Sequence, residues 1–225
     1  MQDNAQAFKA WPISLNATAV LLMAGIAQAL SLAWPFEGAY KGEAQGWLQL
    51  VSLGILAYQL DRSNSIKQAF AKTWMFSLAW LAGSFWWLFV SMHLYGGLPA
   101  PIAVLAVGLL AAGLSLFYGF AAWVYHTVCK TGVGVLPRAC TFAAVWSLGE
   151  MVRGTLWTGF PWGAAGYAHV DSMLQHWAPW AGVYGLCAVS AFIAMAAAAE
   201  RKDSRPATRS TQMSMVISVL VLGYT

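Results

Sequence analysis

The sequence predicts an all-α integral membrane protein, a bundle of about seven transmembrane helices with its N-terminus in the cytoplasm. Three observations lead to this prediction. Of the 225 residues, 60% are hydrophobic and only 9% are charged, whereas soluble domains are about 25% charged and about 45–50% apolar. The apolar residues are grouped in stretches near the length of about 20 residues that crosses a bilayer. The cations between these stretches lie almost entirely on one side of the membrane if the helices alternate in direction.

The first three predicted helices span residues 11–34, 47–60 and 73–91. Pro35 ends the first helix, because proline cannot continue a helical hydrogen-bond pattern. The apolar run of this helix is too long for the apolar segment of a cleavable signal, and so we expect it to be retained. The second helix is short for a span, which leaves little room for tilt.

The other four predicted helices span residues 101–124, 139–156, 180–199 and 213–225. Pro101 lies in the first turn of the fourth helix, where a missing amide hydrogen is tolerated. No internal repeat of 20–50 residues is visible, nor is the pair of broken helices typical of inverted-repeat transporters. We therefore expect residues 1–225 to form one polytopic membrane domain.

The distribution of Lys and Arg predicts the orientation of the chain. Cytoplasmic loops are enriched in Lys and Arg. The loops opposite the cation-rich side hold only Lys41, and Arg153 lies inside the fifth predicted helix. This asymmetry places residues 61–72, 125–138 and 200–212 in the cytoplasm, and the net charge of +4 therefore indicates topology rather than binding to nucleic acid. The ten cations of the cytoplasmic side are Lys9, Arg62, Lys67, Lys72, Lys130, Arg138, Arg201, Lys202, Arg205 and Arg209.

The chain gives no sequence signal for a metal or a cofactor, and we expect neither. The three cysteines, Cys129, Cys140 and Cys187, have no CxxC or zinc-ligand spacing. Their odd number and the cytoplasmic position of two of them argue against a disulfide framework. No glycine-rich phosphate-binding loop is present. The outer histidines, which include His93, show no pattern that joins them, and polar interfacial residues are the simpler interpretation.

Glu150 and Arg153 are charged residues well inside a predicted span. Their spacing of three residues puts them on one face of the helix, where they can pair. A charge at the centre of a membrane costs about 2.5–3.5 kcal/mol on insertion scales, and so both residues are candidates for function. The alternative is a structural pair that ties the outer end of the fifth helix to a neighbour, since the cost falls near the interface.

Two outer loops, residues 91–99 and 154–177, are rich in Gly, Pro and aromatic residues and predict turns or re-entrant segments. In the second loop, Gly159 permits a backbone angle that other residues resist, and Pro161 fixes the angle of its own position. Most Trp residues fit an interfacial belt. Trp162 is the exception, because the stiff turn from Thr158 would fix its direction, and we predict that it lines a portal for lipid.

Both outer loops resemble those of apolipoprotein N-acyltransferases. The resemblance rests on GSFWWLFVSMHLYGGLP at 83–99, EMVRGTLWTGFPW at 150–162 and APWAGVYG at 178–185, and it covers nearly the whole chain. It implies the membrane part of an enzyme of the bacterial inner membrane that acts in lipoprotein biosynthesis. The implied reaction transfers an acyl chain from a phospholipid to the N-terminal diacylglyceryl-cysteine amine of a lipoprotein.

The resemblance also implies which residues act. Family members carry a Glu–Lys–Cys triad in a nitrilase-like domain after the seventh helix, and no cysteine of this chain matches the nucleophile. We therefore expect no catalytic residue in residues 1–225, which alone should be inactive, as a truncated chain or fragment would be. Gly159 and Trp162 match a functionally sensitive loop of the family. The expected substrate-binding residues are His93, Glu150, Arg153, Gly159, Phe160, Pro161 and Trp162.

Two other functions remain open. One is a lipid-binding or transport module without chemistry, in which Glu150 and Arg153 would form the substrate site. The other is a structural partner of a separately encoded catalytic subunit. A catalytic domain encoded downstream of residue 225 would favour the enzyme, and co-purification of a separate subunit would favour the structural partner.

Overall fold

A computed structural model describes residues 13–129, 133–156 and 158–200. Within these ranges the regular secondary structure is helical and contains no strands, as the sequence predicts. A π-helical turn, Ser91–Tyr95, follows the fourth α-helix, and two 3₁₀-helices, Ala165–His169 and Met173–Trp177, precede the last. The α-helices are α1 Leu15–Leu30, α2 Gly46–Asp61, α3 Ile66–Ser84, α4 Trp86–Val90, α5 Ala100–Val128, α6 Val135–Thr155 and α7 Ala178–Glu200.

Six of these helices form a closed ring. Helix α1 packs on α3, α3 on α5, α5 on α6, α6 on α7, and α7 on α2, which returns to α1. The short helix α4 follows α3, and the segment Trp86–Tyr95 is bent by 49° relative to α3. We call the end of the bundle where α2 and α5 finish the Asp61 end, and the opposite end, where α6 finishes, the Arg153 end.

Aromatic rings fill the centre of the ring of helices. The centroid of Tyr118 lies 5.2 Å from that of Trp80 and 4.9 Å from that of Trp146. Phe142 continues the column, 5.6 Å from Trp146 and 5.8 Å from Tyr125. These separations fall within the range of about 4.5–7 Å at which aromatic pairs attract. The column joins a buried polar cluster at the Asp61 end to a second one at the Arg153 end.

The polar cluster at the Asp61 end differs from the sequence-based expectation. Lys72 and Arg138 were expected in cytoplasmic loops, but they lie inside α3 and α6 and are only 4% and 6% exposed. Arg138 pairs with Asp61 at 3.0 Å, and the hydroxyl of Tyr125 donates to the same carboxylate at 3.0 Å. These partners could not be predicted from the sequence, because they come from three different helices.

Several helix bounds differ from those predicted. Helix α3 begins at Ile66 rather than near residue 73, because Ser65 caps it by accepting a hydrogen bond from the amide of Gln68 at 3.2 Å. It ends at Ser84, and the bend at Phe85 divides what was predicted as one span. The predicted helix at 213–225 lies outside the described residues.

Length and apolar composition identify two helical stretches in the described chain that can cross a membrane. These are Ala100–Val128 and Met173–Ala199, and the bent pair formed by α3 with Trp86–Tyr95 makes a third if it is one span. Helix α1 is apolar but has only 16 residues. These criteria therefore identify fewer spans than the seven predicted from the sequence.

Candidate functional site

Arg153 organises the loop that follows α6. Its side chain is 1% exposed and reaches four acceptors. Its Nε donates to the hydroxyl of Tyr118 at 2.8 Å, and one terminal nitrogen donates to Glu150 at 2.8 Å. The other terminal nitrogen donates to the backbone carbonyls of Phe160 and of Trp162, the latter at 2.9 Å. The planar guanidinium offers five donors in a fixed geometry, which suits such convergent acceptors.

Glu150 completes the attachment of the loop. One carboxylate oxygen pairs with Arg153, and the other accepts the amide of Ala165 at 3.3 Å. The pair thus binds the loop at two places, near residues 160–162 and at residue 165. Both side chains are buried and directed at groups of the protein. The arrangement suits positioning of a backbone, and it presents no free charge to a ligand within the described residues.

Gly159 gives the loop its direction. Its φ of +69° lies in the left-handed region, and a Cβ at this position would fall 2.1 Å from the carbonyl oxygen of Gly154. Only glycine fits so close an approach in this conformation. The amide of Phe160 returns to the carbonyl of Arg153 at 2.9 Å, and Pro161, which is exposed, follows. The turn at 158–162 therefore exists as the sequence predicts, and its tight closure requires Gly159.

Trp162 emerges from this turn and is 54% exposed. Its ring lies 5.1 Å from that of Phe160 and 6.2 Å from that of Trp87. Phe160 in turn lies 4.9 Å from Phe85 at the bend between α3 and α4. We call these four residues, Phe85, Trp87, Phe160 and Trp162, the aromatic patch. Sequence reasoning missed Phe85 and Trp87, although both lie in the GSFWWLFVSMHLYGGLP run.

The histidines lie apart. His93, half-buried, places its Nδ1 2.7 Å from the carbonyl of Leu98 and so closes the turn at 91–98; no described contact joins it to Glu150 or Arg153. His169 is buried, with Nε2 3.1 Å from Gln49 and Nδ1 2.9 Å from Ser172, and this burial lowers its pKa to about 4. His176 is exposed. In the described ranges no three His, Cys, Asp or Glu residues group as metal ligands would.

None of the three cysteines has the surroundings of an activated nucleophile in the described part of the chain. Cys187 is fully buried, and its sulfur accepts the amide of Gly166 at 3.1 Å. Cys129 is half-buried and Cys140 is exposed, and neither forms a disulfide. Both lie at the Asp61 end, Cys129 directly after α5 and Cys140 on α6, away from the aromatic patch.

Comparison with known proteins identifies the family to which this chain is similar. Residues 24–196 match the family described as apolipoprotein N-acyltransferase N-terminal domain. A curated apolipoprotein N-acyltransferase of Verminephrobacter eiseniae is 47% identical over 181 residues, which cover 77% of this chain and 32% of the relative. A relative of the same name from Ralstonia nicotianae is 40% identical, covering 69% of this chain and 30% of the relative.

A third relative of that name, from Chromobacterium violaceum, is 34% identical over 94% of this chain and 40% of its own length. The chain therefore spans about a third of the length of the curated relatives it matches. The matched residues contain the whole loop held by Arg153, the bend at Phe85 and the aromatic patch. The resemblance predicted from the two outer loops is confirmed.

Proposed function

This chain belongs to the apolipoprotein N-acyltransferase family, and from that premise we propose that it forms the membrane part of an enzyme that acylates bacterial lipoproteins. The acyl donor is a phospholipid, and the acceptor is the N-terminal diacylglyceryl-cysteine amine of a lipoprotein. In this proposal seven helices cross the bacterial inner membrane, with the N-terminus in the cytoplasm. The positive-inside rule supports that orientation, because the loops at the Arg153 end carry only Lys41.

The role proposed for this chain is to position lipid rather than to perform the chemistry. Acyl transfer through a thioester requires a thiolate activated by a neighbouring base. Cys187 is buried against backbone, and the other two cysteines lie at the opposite end from the aromatic patch. Holding two reactants in a productive geometry can lower a barrier by up to about 7–11 kcal/mol. Such positioning is a contribution that a membrane domain without a nucleophile can make.

The observation that carries this proposal is the aromatic patch, exposed at Trp87 and Trp162, which includes part of a loop that buried charges hold in place. Indole rings are stable at the boundary between acyl chains and headgroups. Trp162 and Phe160 would contact the acyl chains, while Gly159 and Pro161 shape the turn. Glu150 and Arg153 would act through the loop, and His93 would fix the neighbouring turn at 91–98. The closed geometry of the Glu150–Arg153 pair favours this division over a transport site for a solute.

The test is replacement of Trp162 in a full-length member of the family that carries this domain. Trp162→Ala should reduce acyl transfer by about ten- to a hundredfold, the range typical of reactants misplaced by about an ångström. Thermal stability should hardly change, because half of the side chain is already exposed. The assay would follow transfer of a labelled acyl chain from phospholipid vesicles to a diacylated lipopeptide.

Trp47 supplies the control. It is 62% exposed at the same end of the bundle, and its indole donates to Gln45 at 3.0 Å, outside the aromatic patch. Trp47→Ala should leave acyl transfer within about twofold of the unmodified enzyme, as expected of an exposed residue remote from the reaction. Unchanged turnover in Trp162→Ala, or unfolding of that variant, would show that Trp162 is a belt or packing residue.

A further inference from the structure

A groove of about 600 Å³ lies on the side of the bundle, between α2 and α7, and extends towards the Asp61 end. Helices α2 and α7 form its walls, with Val20 of α1 at its edge. It is open to the outside, since Val51 and Tyr58 on its rim are exposed. Its volume lies within the range of about 300–1,000 Å³ that is typical of small-molecule sites.

Small side chains create the groove. A Cβ added at Gly54 would meet no atom within 4 Å, so the space beside this residue is empty. The facing positions on α7, Ala194, Ala197 and Ala198, carry a single methyl group each. The remaining lining residues are mainly apolar, such as Leu50 and Ile193. The groove therefore suits a flexible hydrocarbon and offers little to a polar molecule.

The length of the groove distinguishes between possible occupants. Its lining on α2 runs from Leu50 to Gln59, nine residue steps that span about 13 Å at 1.5 Å per residue. The hydrocarbon core of a bilayer is about 30 Å thick, and so the groove covers about one leaflet. A further transmembrane helix would need a contact along the full thickness, whereas an acyl chain needs only one leaflet.

One cation, Arg62, lies beside the groove. The guanidinium of Arg62 lies 3.6 Å from the ring centroid of Tyr58 and donates to the carbonyl of that residue at 3.4 Å. Lys72 is buried and donates to the backbone carbonyl of Gln59 at 2.6 Å, and so Arg62 is the cation that faces a headgroup. The adjacent carboxylate, Asp61, pairs with Arg138 and accepts from the hydroxyl of Tyr125. A guanidinium in this position matches the geometry of a phosphate.

We propose that this groove holds one acyl chain of an anionic phospholipid from the leaflet at the Asp61 end, with the lipid phosphate on Arg62. The lipid would fill the seam between α2 and α7. The site is distinct from the aromatic patch, and the lipid bound there is not consumed by acyl transfer. In this proposal the lipid stays bound: Arg62 selects its headgroup by charge, and the groove accommodates its acyl chain.

The test measures lipid retention by native mass spectrometry of the full chain in detergent, titrated with phosphatidylglycerol or phosphatidylethanolamine. The unmodified chain should retain one phosphatidylglycerol molecule in preference to phosphatidylethanolamine. Gly54→Leu should weaken this binding about tenfold by filling the groove, and Arg62→Gln should weaken it by a similar factor through loss of the charge-assisted contact. Ala197→Leu fills the groove from the other wall and serves as a second variant if Gly54→Leu does not fold.

Matched controls separate the groove from general effects. Gly108 on α5 also has no atom within 4 Å of an added Cβ, so Gly108→Leu adds the same side chain elsewhere and should leave binding unchanged. Lys67→Gln removes an exposed cation at the same end and should also have little effect. Because no turnover is measured, failure of this test is independent of whether the proposed acyl transfer holds.

Three results would overturn the proposal. Equal retention by Gly54→Leu, Ala197→Leu and Gly108→Leu would show that lipid does not occupy the groove. Equal retention of both lipids, unaffected by Arg62→Gln, would exclude recognition of the headgroup. Efficient disulfide formation between Gly54→Cys and cysteines introduced in turn at residues 213–225, with no lipid retained, would show that the chain itself covers the groove.

Discussion

At the scale of the residue, Arg153 couples three separate parts of the chain from one buried position. It contacts Tyr118 on α5, Glu150 on its own helix, and two carbonyls of the following loop. Burying a charge is costly unless it is paired and its hydrogen bonds are satisfied. All three guanidinium nitrogens are engaged here, which is why the pair can persist in an apolar bundle.

The first residue-scale prediction concerns this pair. Arg153→Met should destabilise the fold by about 3–5 kcal/mol, because it leaves the Glu150 carboxylate unpaired in an apolar interior. Glu150→Gln should cost less, since an amide oxygen can still accept the amide of Ala165. The double variant should be no less stable than Arg153→Met alone. Thermal unfolding of the purified variants in detergent measures the coupling.

Strictly additive losses in this double-mutant cycle would contradict the prediction, because they would mean that the two side chains do not interact. Tyr118→Phe is a useful control. It removes one hydroxyl acceptor of Arg153 and leaves the ring contacts with Trp80 and Trp146 in place. Its effect should be about 1–2 kcal/mol, smaller than the loss of the charge.

The second residue-scale prediction concerns His169, which lies in the loop between α6 and α7. Burial lowers its pKa from 6.5 to about 4, so the folded chain binds fewer protons than the unfolded chain between these values. Stability should therefore fall as the pH drops from about 6.5 to about 4, by about 3 kcal/mol in total from this residue. Its polar contacts, Gln49 and Ser172, are uncharged and cannot offset an imidazolium.

The measurement is the midpoint of thermal unfolding between pH 8 and pH 4. His169→Gln should lose less stability over this interval than the unmodified chain, even if it starts lower. His176→Gln, which changes an exposed histidine in the same loop, should keep the full pH dependence. A pH dependence that is identical in all three proteins would show that His169 does not stay neutral in the fold.

At the scale of the element, the loop after α6 shows how much local geometry can be read from a sequence. Gly159 and Pro161 predict a tight turn, and the spacing of Glu150 and Arg153 predicts their pairing. The attachment of the turn to Arg153 has no such signal, because its acceptors are backbone carbonyls, which every residue has. For a similar reason the sequence predicts Phe160 and Trp162 of the aromatic patch but not Phe85 and Trp87. Trp87 contacts Trp162 because the chain bends at Phe85.

The positions of the helices could likewise be predicted from the sequence, whereas their ends and their pairings could not. The apolar stretches indicate where helices form, because a helix that is buried in a bundle needs a continuous apolar face. Their ends were less predictable: α3 includes Lys67 and Lys72, which look like loop residues until the contact of Lys72 with Gln59 is known. Pairings between distant helices, such as Asp61 with Arg138, depend on the ring order, which a single sequence does not contain.

The element-scale prediction compares two glycines with nearly the same positive φ. Gly159 has a φ of +69° and Gly97 a φ of +68°, but an added Cβ meets nothing within 4 Å at Gly97. Gly97→Ala should therefore cost only the left-handed strain of about 1–2 kcal/mol. Gly159→Ala adds a collision with the carbonyl of Gly154 and should cost clearly more, or displace the turn and with it Trp162.

Thermal unfolding of both variants, together with the fluorescence of Trp162 in a background where neighbouring Trp residues are replaced, would measure this difference. Equal destabilisation by the two substitutions would show that the close approach at Gly159 is relaxed in solution. A displaced turn with little loss of stability would still separate Gly159 from Gly97 through the fluorescence.

At the scale of the whole molecule, the two ends of the bundle differ in charge and in chemistry. The Asp61 end carries Arg62, Lys67, Lys72 and Arg138, whereas the loops of the Arg153 end carry Lys41 in the described residues. The aromatic patch lies at the second end. The proposed topology therefore puts the patch on the outer side of the membrane, where lipoproteins are matured in the proposed function.

The whole-molecule prediction tests this orientation with single cysteines in a background that lacks Cys129 and Cys140. Cysteine at Tyr95 or Asp171, both exposed at the Arg153 end, should react with an impermeant thiol reagent applied to intact cells. Cysteine at Asn64, exposed at the Asp61 end, should react only after the membrane is permeabilised. Ala165 is unsuitable as a labelling position because it is buried.

Labelling in the opposite sense would overturn the orientation and with it the proposed position of the aromatic patch. Ser204 offers a further position, in the charged segment that the sequence places in the cytoplasm and that lies outside the described residues. Agreement of Asn64 and Ser204 would show that α2 and α7 end on the same side, as the shared groove between them requires.

The contacts of Arg153 separate the path of the loop from its surface. The guanidinium donates to the backbone carbonyl oxygens of residues 160 and 162, and so these hydrogen bonds do not depend on the side chains at the two positions. The exposed side chains of the loop can thus be substituted while the path of its backbone stays the same. For protein engineering, the exposed side chain at position 162 can therefore be exchanged without rebuilding the scaffold, whereas Phe160 also packs against Phe85.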